Sequence, residues 1–196
     1  MAAPVPSVTR ALLIANVGAF AVERLYGGDR MVAAFALWPL GPLFQPWQNV
    51  SYAFLHGSLL HLAFNMFALW MFGTELERAL RGRRFLELYF ASVLTAAVAQ
   101  LTVTWLTGGQ HPTVGASGGL FGVLLGFALL FPERRITLLF PPIPLPAWLF
   151  VTIYGGIELF LGVTGTASGV AHFAHLGGML GGYLVFAYWR RQYRRG

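Results

Sequence analysis

The chain has 196 residues, 57% hydrophobic and only 10% charged, with a formal net charge of +6. Ordinary soluble domains are roughly half apolar and a quarter charged, so lipid is the predicted solvent. All the basic charge is arginine, placed beside apolar runs without aromatic interleaving, which marks topology and excludes a nucleic-acid footprint. Cysteine is absent, which excludes disulfides, thiolate metal sites and a cysteine nucleophile.

Uncharged runs predict an all-α membrane protein, a single domain over 1–196 with six segments at about 8–25, 51–74, 85–106, 115–132, 145–163 and 169–189. No linker, low-complexity tract or repeat divides it. The first segment has a short uncharged core, Ala11 to Val22, and its Ala19-Phe20-Ala21 resembles a signal-peptidase site, although a spanning segment is the preferred reading. The stretch that follows carries Arg24, Arg30, Trp38, Trp47 and several prolines, as expected of a loop lying in the membrane interface. Arginines follow segment two (Arg78, Arg81, Arg83, Arg84), segment four (Arg134, Arg135) and segment six (Arg190, Arg191, Arg194, Arg195), and none follows segments three or five. Both termini are therefore predicted to be cytoplasmic.

Few polar residues interrupt these segments: His56, His61, Asn65, His111, Ser117, Glu158, His172 and His175. Ionisable groups at membrane depth are functional candidates by default, because holding them there is costly. Segment four, from Ser117 to Phe131, makes about 22 Å of helix, against a hydrocarbon core of roughly 30 Å. With its far end pinned by Glu133, Arg134 and Arg135, its first turn must lie below the outer face, reached by a re-entrant loop. His175, counted back from Arg190, and His61, counted back from Glu75, both fall about 21 to 23 Å above the cytoplasmic boundary. Three segments thus bring Ser117, His175 and His61 to one level, with Asn65 one turn deeper on the face of His61.

A serine alkoxide needs a base. Lysine is absent and the one aspartate, Asp29, lies in the external loop, so a serine–histidine dyad is the economical reading. Neutral His175 would take the proton. The N–H groups of Ser117 and Gly118 at the helix start, with Asn65 and His61, would face the developing oxyanion. Gly115 and Gly118 are expected to supply the backbone freedom and close approach that a nucleophile turn requires. The string "GASGG" also fits the G-x-S-x-G elbow, which belongs to a soluble sheet and is weak here.

At "HLAFN" (61–65), "GASG" (115–118) and "AHLGGMLGG" (174–182) the sequence resembles the rhomboid family of intramembrane serine proteases, in motif order and over essentially the whole chain. The resemblance implies a six-helix bundle with Ser117 as nucleophile, His175 as general base, and His61 and Asn65 holding the oxyanion. Gly178 and Gly182 match small residues that let the sixth helix pack close to the fourth. That spacing also prefers His175 over His172 as the base, since counting from His172 puts His175 where the first glycine belongs. Phe121 stands where many relatives carry tyrosine, keeping the ring but not the hydroxyl. In "PWQN" (46–49) Trp47 matches and Gln48 departs, which puts the loop's stability or lipid contact in question.

A metalloprotease motif needs H-E-x-x-H, and "HFAH" (172–175) has no glutamate, so neither metal nor cofactor is expected. His56 and His172 are expected to be structural hydrogen-bond partners, and His111 an exposed loop residue. For Glu158 three roles stand open, namely orienting His175 as a third member, capping a polar cavity, or pairing near the external end of segment five, with a structural role preferred. The expected function is an endopeptidase cleaving transmembrane segments of other proteins near their external end. Water would enter through an external cavity capped by the loop after segment five, and Phe64 and Trp148 to Tyr154 would form a lateral gate. The expected location is the bacterial cytoplasmic membrane, with which the alanine-rich, all-arginine composition is compatible. Two alternatives are carried: an inactive membrane-protein binder and a small transporter.

Overall fold

A computed structural model describes residues 4–137, 142–165 and 171–194. Helix α1, Ser7–Val22, starts on a cap from a distant part of the chain. The buried Glu77 carboxylate accepts the N–H of Val8 at 3.0 Å and of Thr9 at 2.7 Å, satisfying donors that a helix start leaves open and placing negative charge at the positive end of its dipole. A π-helical turn, Glu23–Gly27, and a break at Gly28 (φ 37°) lead into α2, Gly28–Phe35. The stretch after α2 ends in a short helix, α3 (Gln48–Ser51), continued as a 3-10 turn over Tyr52–Phe54.

The predicted second segment is corrected at both ends. Its helix, α4 (Leu59–Ala68), begins only at Leu59, because the Ser58 hydroxyl caps it by accepting the His61 N–H at 3.1 Å. Residues 51–58 therefore belong to the end of α3, the 3-10 turn and the loop that follows. At the other end α4 runs through a π-helical turn, Leu69–Gly73, directly into α5, Thr74–Thr107. The loop expected around Arg78 to Arg84 is a hinge at Arg81 alone, whose φ of 66° and ψ of 158° are non-helical. Beyond it the chain doubles back, so that a Cβ on Gly73 would lie 3.2 Å from Phe85 Cζ.

After the Gly108 C-cap, a loop ladders with the stretch after α2 through Leu37 N–H to Thr113 O (3.0 Å) and Thr113 N–H to Leu37 O (2.9 Å). Helix α6, Ser117–Leu130, is about 21 Å long by residue count. A two-stranded antiparallel hairpin follows, β1 (Arg135–Thr137) with β2 (Pro144–Pro146), pairing Ile136 with Leu145. This is a small departure from all-α, since the proline-rich run that forms β2 cannot donate the hydrogen bonds of a helix. The last two helices are α7, Ala147–Thr164, and α8, His172–Tyr193. Residues 169 and 170 of the predicted sixth segment, and most of the loop expected to cap the cavity, lie outside the described residues.

Helices α5, α6 and α8 pack on one another through small residues. A Cβ on Gly182 would meet Gly122 O at 2.8 Å, one on Gly181 would meet Ser92 Cα at 2.9 Å, and one on Gly178 would overlap Gly118 O. Backbones this close are the usual solution for helices in lipid. Large apolar side chains face outward instead, among them Ile14 on α1, Val98 on α5, Phe160 and Val163 on α7 and Leu180 on α8. Among the described residues, two helical stretches are long and apolar enough to cross a bilayer, Leu59–Thr107 with its hinge and Ala147–Thr164, while Ser117–Leu130 is apolar but shorter.

Candidate active site

Ser117 is the first residue of α6, preceded by a turn that a backbone hydrogen bond holds in place. Gly115 has φ 128° and donates its N–H to Tyr52 O at 2.9 Å. Tyr52 is itself fixed, its hydroxyl donating to Val93 O of α5 at 2.9 Å. A Cβ at Gly115 would lie 2.7 Å from His61 Cε1 and 2.8 Å from His61 Nε2, so the absent side chain is what lets His61 approach the turn. Of the two glycines expected to give backbone freedom, only Gly115 does so. Gly118 is helical, and its hydrogen makes room for Tyr52 Oη and Ala96 Cβ, which an added Cβ would meet at 3.0 and 2.6 Å. The first helical bond of α6 runs from Leu120 N–H to Ala116 O, which leaves the earlier N–H groups of Ser117, Gly118 and Gly119 without intrahelical partners.

His175 reaches this turn from α8, with its Nε2 2.8 Å from Ser117 Oγ. The close α6–α8 backbone approach at Gly118, Gly122, Gly178 and Gly182 sets that distance. The Phe121 ring lies one turn beyond Ser117 and stacks on the His175 ring, centroids 4.2 Å apart and planes 7° from parallel. Tyr154 of α7 covers the other side of Phe121 at 5.1 Å. His61 and Asn65 line the same cavity as Ser117 and His175, a cleft of about 1300 Å³. One amide hydrogen of Asn65 goes to His61 O at 3.0 Å, and its second remains available to a ligand. Phe64 and Phe67 of α4 line one wall of the cleft, and Phe150, Ile153 and Tyr154 of α7 line another, while Trp148, expected at the gate, is exposed and is not a lining residue.

Glu158 was expected chiefly as a structural group, but its carboxylate lies on the imidazoles. Oε2 is 2.9 Å from His175 Nδ1 and 2.6 Å from His172 Nδ1, and all three residues are buried. Their ligand-type atoms fall within 4.8 Å of one another, so these are the residues able to hold a metal ion among those described. His172 is thereby a hydrogen-bond partner, as expected. His56 is fully buried and sits edge-on to His61 at 5.0 Å, and its hydrogen-bonding neighbour is the Phe54 backbone, in a contact short of standard geometry. His111 is exposed at the cleft mouth.

The sequence reading missed the role of Tyr52 and the partners of Gln48. Gln48 is fully buried: its amide nitrogen donates to Leu43 O (3.1 Å) and Ala34 O (3.4 Å), and its oxygen accepts from Gln45 N (3.1 Å) and Trp38 N (3.4 Å). The departure from the family's pattern thus leaves a pinned loop. An uncharged amide inside an apolar stretch, beside Trp47, was the available signal.

A serine hydroxyl within hydrogen-bond reach of an imidazole nitrogen has the geometry of a nucleophile beside a base. Residues 43–192 match the Rhomboid domain. The chain is 33% identical over 183 residues to Rhomboid protein 1, mitochondrial, of Saccharomyces cerevisiae, covering 89% of this chain and 51% of that protein. It is 34% identical over 175 residues to Rhomboid protease GlpG of Yersinia pestis, covering 84% of this chain and 56% of the relative. With Rhomboid protease GluP of Bacillus subtilis it shares 30% identity over 141 residues, covering 72% of this chain and 25% of the relative. The chain therefore spans about half, or less, of the length of these curated relatives.

Proposed function

The chain belongs to the rhomboid family, and we propose that it is an intramembrane serine endopeptidase that cleaves transmembrane segments of other proteins near their external end. The observation that carries this reading is the 2.8 Å contact between Ser117 Oγ and His175 Nε2 in a cleft set among apolar helices. The names of GluP and GlpG as rhomboid proteases support it.

His175 Nε2 takes the proton of Ser117 as Oγ attacks the scissile carbonyl carbon. The carbonyl oxygen becomes an oxyanion, held by the N–H groups at the start of α6 together with Asn65 and His61. The intermediate collapses as His175 returns the proton to the departing amine, which breaks the C–N bond and leaves an acyl-enzyme. Water, deprotonated by His175, then attacks the ester and frees Ser117. Because an intact helix hides its carbonyls in hydrogen bonds, selection falls on segments that unwind into the cleft. Entry runs between the Phe64 and Phe67 wall and the Phe150, Ile153 and Tyr154 wall.

The chain spans the membrane six times, with α4 to the hinge and the hinge to Thr107 counted as separate segments, and the loop before α6 enters the membrane from outside. Both termini lie in the cytoplasm, and the bilayer is the bacterial cytoplasmic membrane. Covalent labelling of detergent-purified protein with a fluorophosphonate tests the assignment. Wild type is expected to label, and Ser117→Ala and His175→Ala to lose the label while remaining folded. A folded wild type that stays unlabelled would move the inactive-binder reading ahead.

A further inference from the structure

We propose that Glu158 is the positioning residue that completes the site, making a Ser117–His175–Glu158 series in which the carboxylate fixes the imidazole tautomer and stands beside the imidazolium formed during the reaction. The inference rests on the serine-protease reading above and adds a residue that a dyad does not contain.

A neutral imidazole carries one N–H, and which nitrogen bears it decides whether His175 can act as a base. An ionised carboxylate can only accept hydrogen bonds. With Glu158 Oε2 2.9 Å from Nδ1, the proton of His175 belongs on Nδ1, and the lone pair of Nε2 is directed at Ser117 Oγ, 2.8 Å away. The opposite tautomer would aim an N–H at the serine and leave Nδ1 facing the carboxylate lone pair to lone pair. When Nε2 takes the serine proton, the positive ring already has a negative partner in contact, with little reorganisation needed in a buried place.

A carboxylate in this position must itself be held, and His172 does that. It lies one turn before His175 on α8 and brings its Nδ1 to 2.6 Å from the same oxygen. Two imidazoles from one helix thus clamp one carboxylate from α7, and the clamp ties α7 to α8 beside the cleft. Glu158 is 4% exposed, so protein donors stand where water would otherwise solvate it.

The rival use of the same three residues is a metal site, since their ligand-type atoms lie within 4.8 Å of one another. A metal there would take the Nδ1 lone pair of His175, put the remaining proton on Nε2, and remove the base from Ser117. Metal binding and general-base action by His175 therefore exclude each other.

The experiment compares wild type, Glu158→Gln and Glu158→Asp in detergent. It records the rate constant of fluorophosphonate labelling per folded molecule and kcat and KM on a reporter transmembrane segment, each with and without a chelator. Glutamine preserves the volume and an acceptor oxygen but not the charge. We expect Glu158→Gln to lower kcat and the labelling rate by on the order of 10⁴-fold, the scale seen when the acid of a serine triad becomes an amide, with KM nearly unchanged. Glu158→Asp should recover part of that loss. Glu158→Gln at the wild-type rate would overturn the inference while leaving the protease reading intact. So would a loss confined to the folded fraction, with the rate per folded molecule unchanged. Loss of wild-type activity on chelation, restored by zinc, would overturn it in favour of a metal site. A wild type that labels nowhere would overturn the protease reading and this inference together.

Discussion

Gly115 governs how Ser117 is presented, because its φ of 128° is a conformation that side chains rarely adopt and its missing Cβ leaves the space His61 occupies. Gly115→Ala should therefore act twice, through backbone strain of about 1 to 3 kcal/mol and through displacement of the His61 ring. We expect a lower melting temperature in detergent and a fluorophosphonate labelling rate reduced by about tenfold or more. Unchanged values of both would show that the turn tolerates a side chain. Ser117 was legible from the length and pinned end of its helix, Gly115 from the turn before it, and the Phe121 ring from the position that the family resemblance marks one turn on. For Glu158, orienting His175 was one of three roles the sequence left open, since that contact joins two helices across a connection whose path spacing does not define. Gln48 was read as a departure because a family comparison registers the missing charge, whereas its four hydrogen bonds depend on the folded course of residues 34–48.

At the level of elements, the long helices were legible from their apolar runs, whereas α2 and α3, inside the stretch expected as a loop, and the joints between helices were not. The arginines after segment two suggested a loop, yet residues 74 to 84 contain no proline and are mostly good helix formers, so the helix continues to a single broken residue. That residue is Arg81, exposed, with a φ of 66° that glycine accepts far more readily than arginine. Arg81→Gly is expected to relieve more strain than its added backbone entropy costs, stabilising the fold by about 1 kcal/mol with labelling at Ser117 unchanged. A melting temperature that falls would mean that the reversal between the two arms is held by the arginine side chain. The α6–α8 contact follows the opposite logic, for there the glycines serve proximity. Gly178 and Gly182 lie against Gly118 O and Gly122 O, so the motif spacing read in the sequence corresponds to the surface that carries His175 to Ser117.

Across the whole molecule, the arginine clusters gather at one end through contacts between elements distant in sequence. Glu77 caps the start of α1, Arg134 pairs with Glu75 at 2.8 Å, and Arg84 lies over the Trp189 ring at 5.5 Å. The opposite end holds the Leu37–Thr113 ladder, the exposed His111 and the mouth of the cleft. A chain with exposed large apolar side chains between two such ends has the surface expected in a bilayer, and the proposed orientation puts the arginine end in the cytoplasm. Because the protein contains no cysteine, one introduced thiol reports one position without background. A membrane-impermeant maleimide should label His111→Cys from outside intact cells and Arg191→Cys only after permeabilisation. The labelling pattern separates orientation from chemistry: reversal of the two would turn the cleft to the cytoplasm and redirect the search to substrates cleaved there. Labelling of both from outside would contradict the shared end that Trp189 and Arg84 define and would call for an odd number of crossings between positions 111 and 191 to be replaced by an even one.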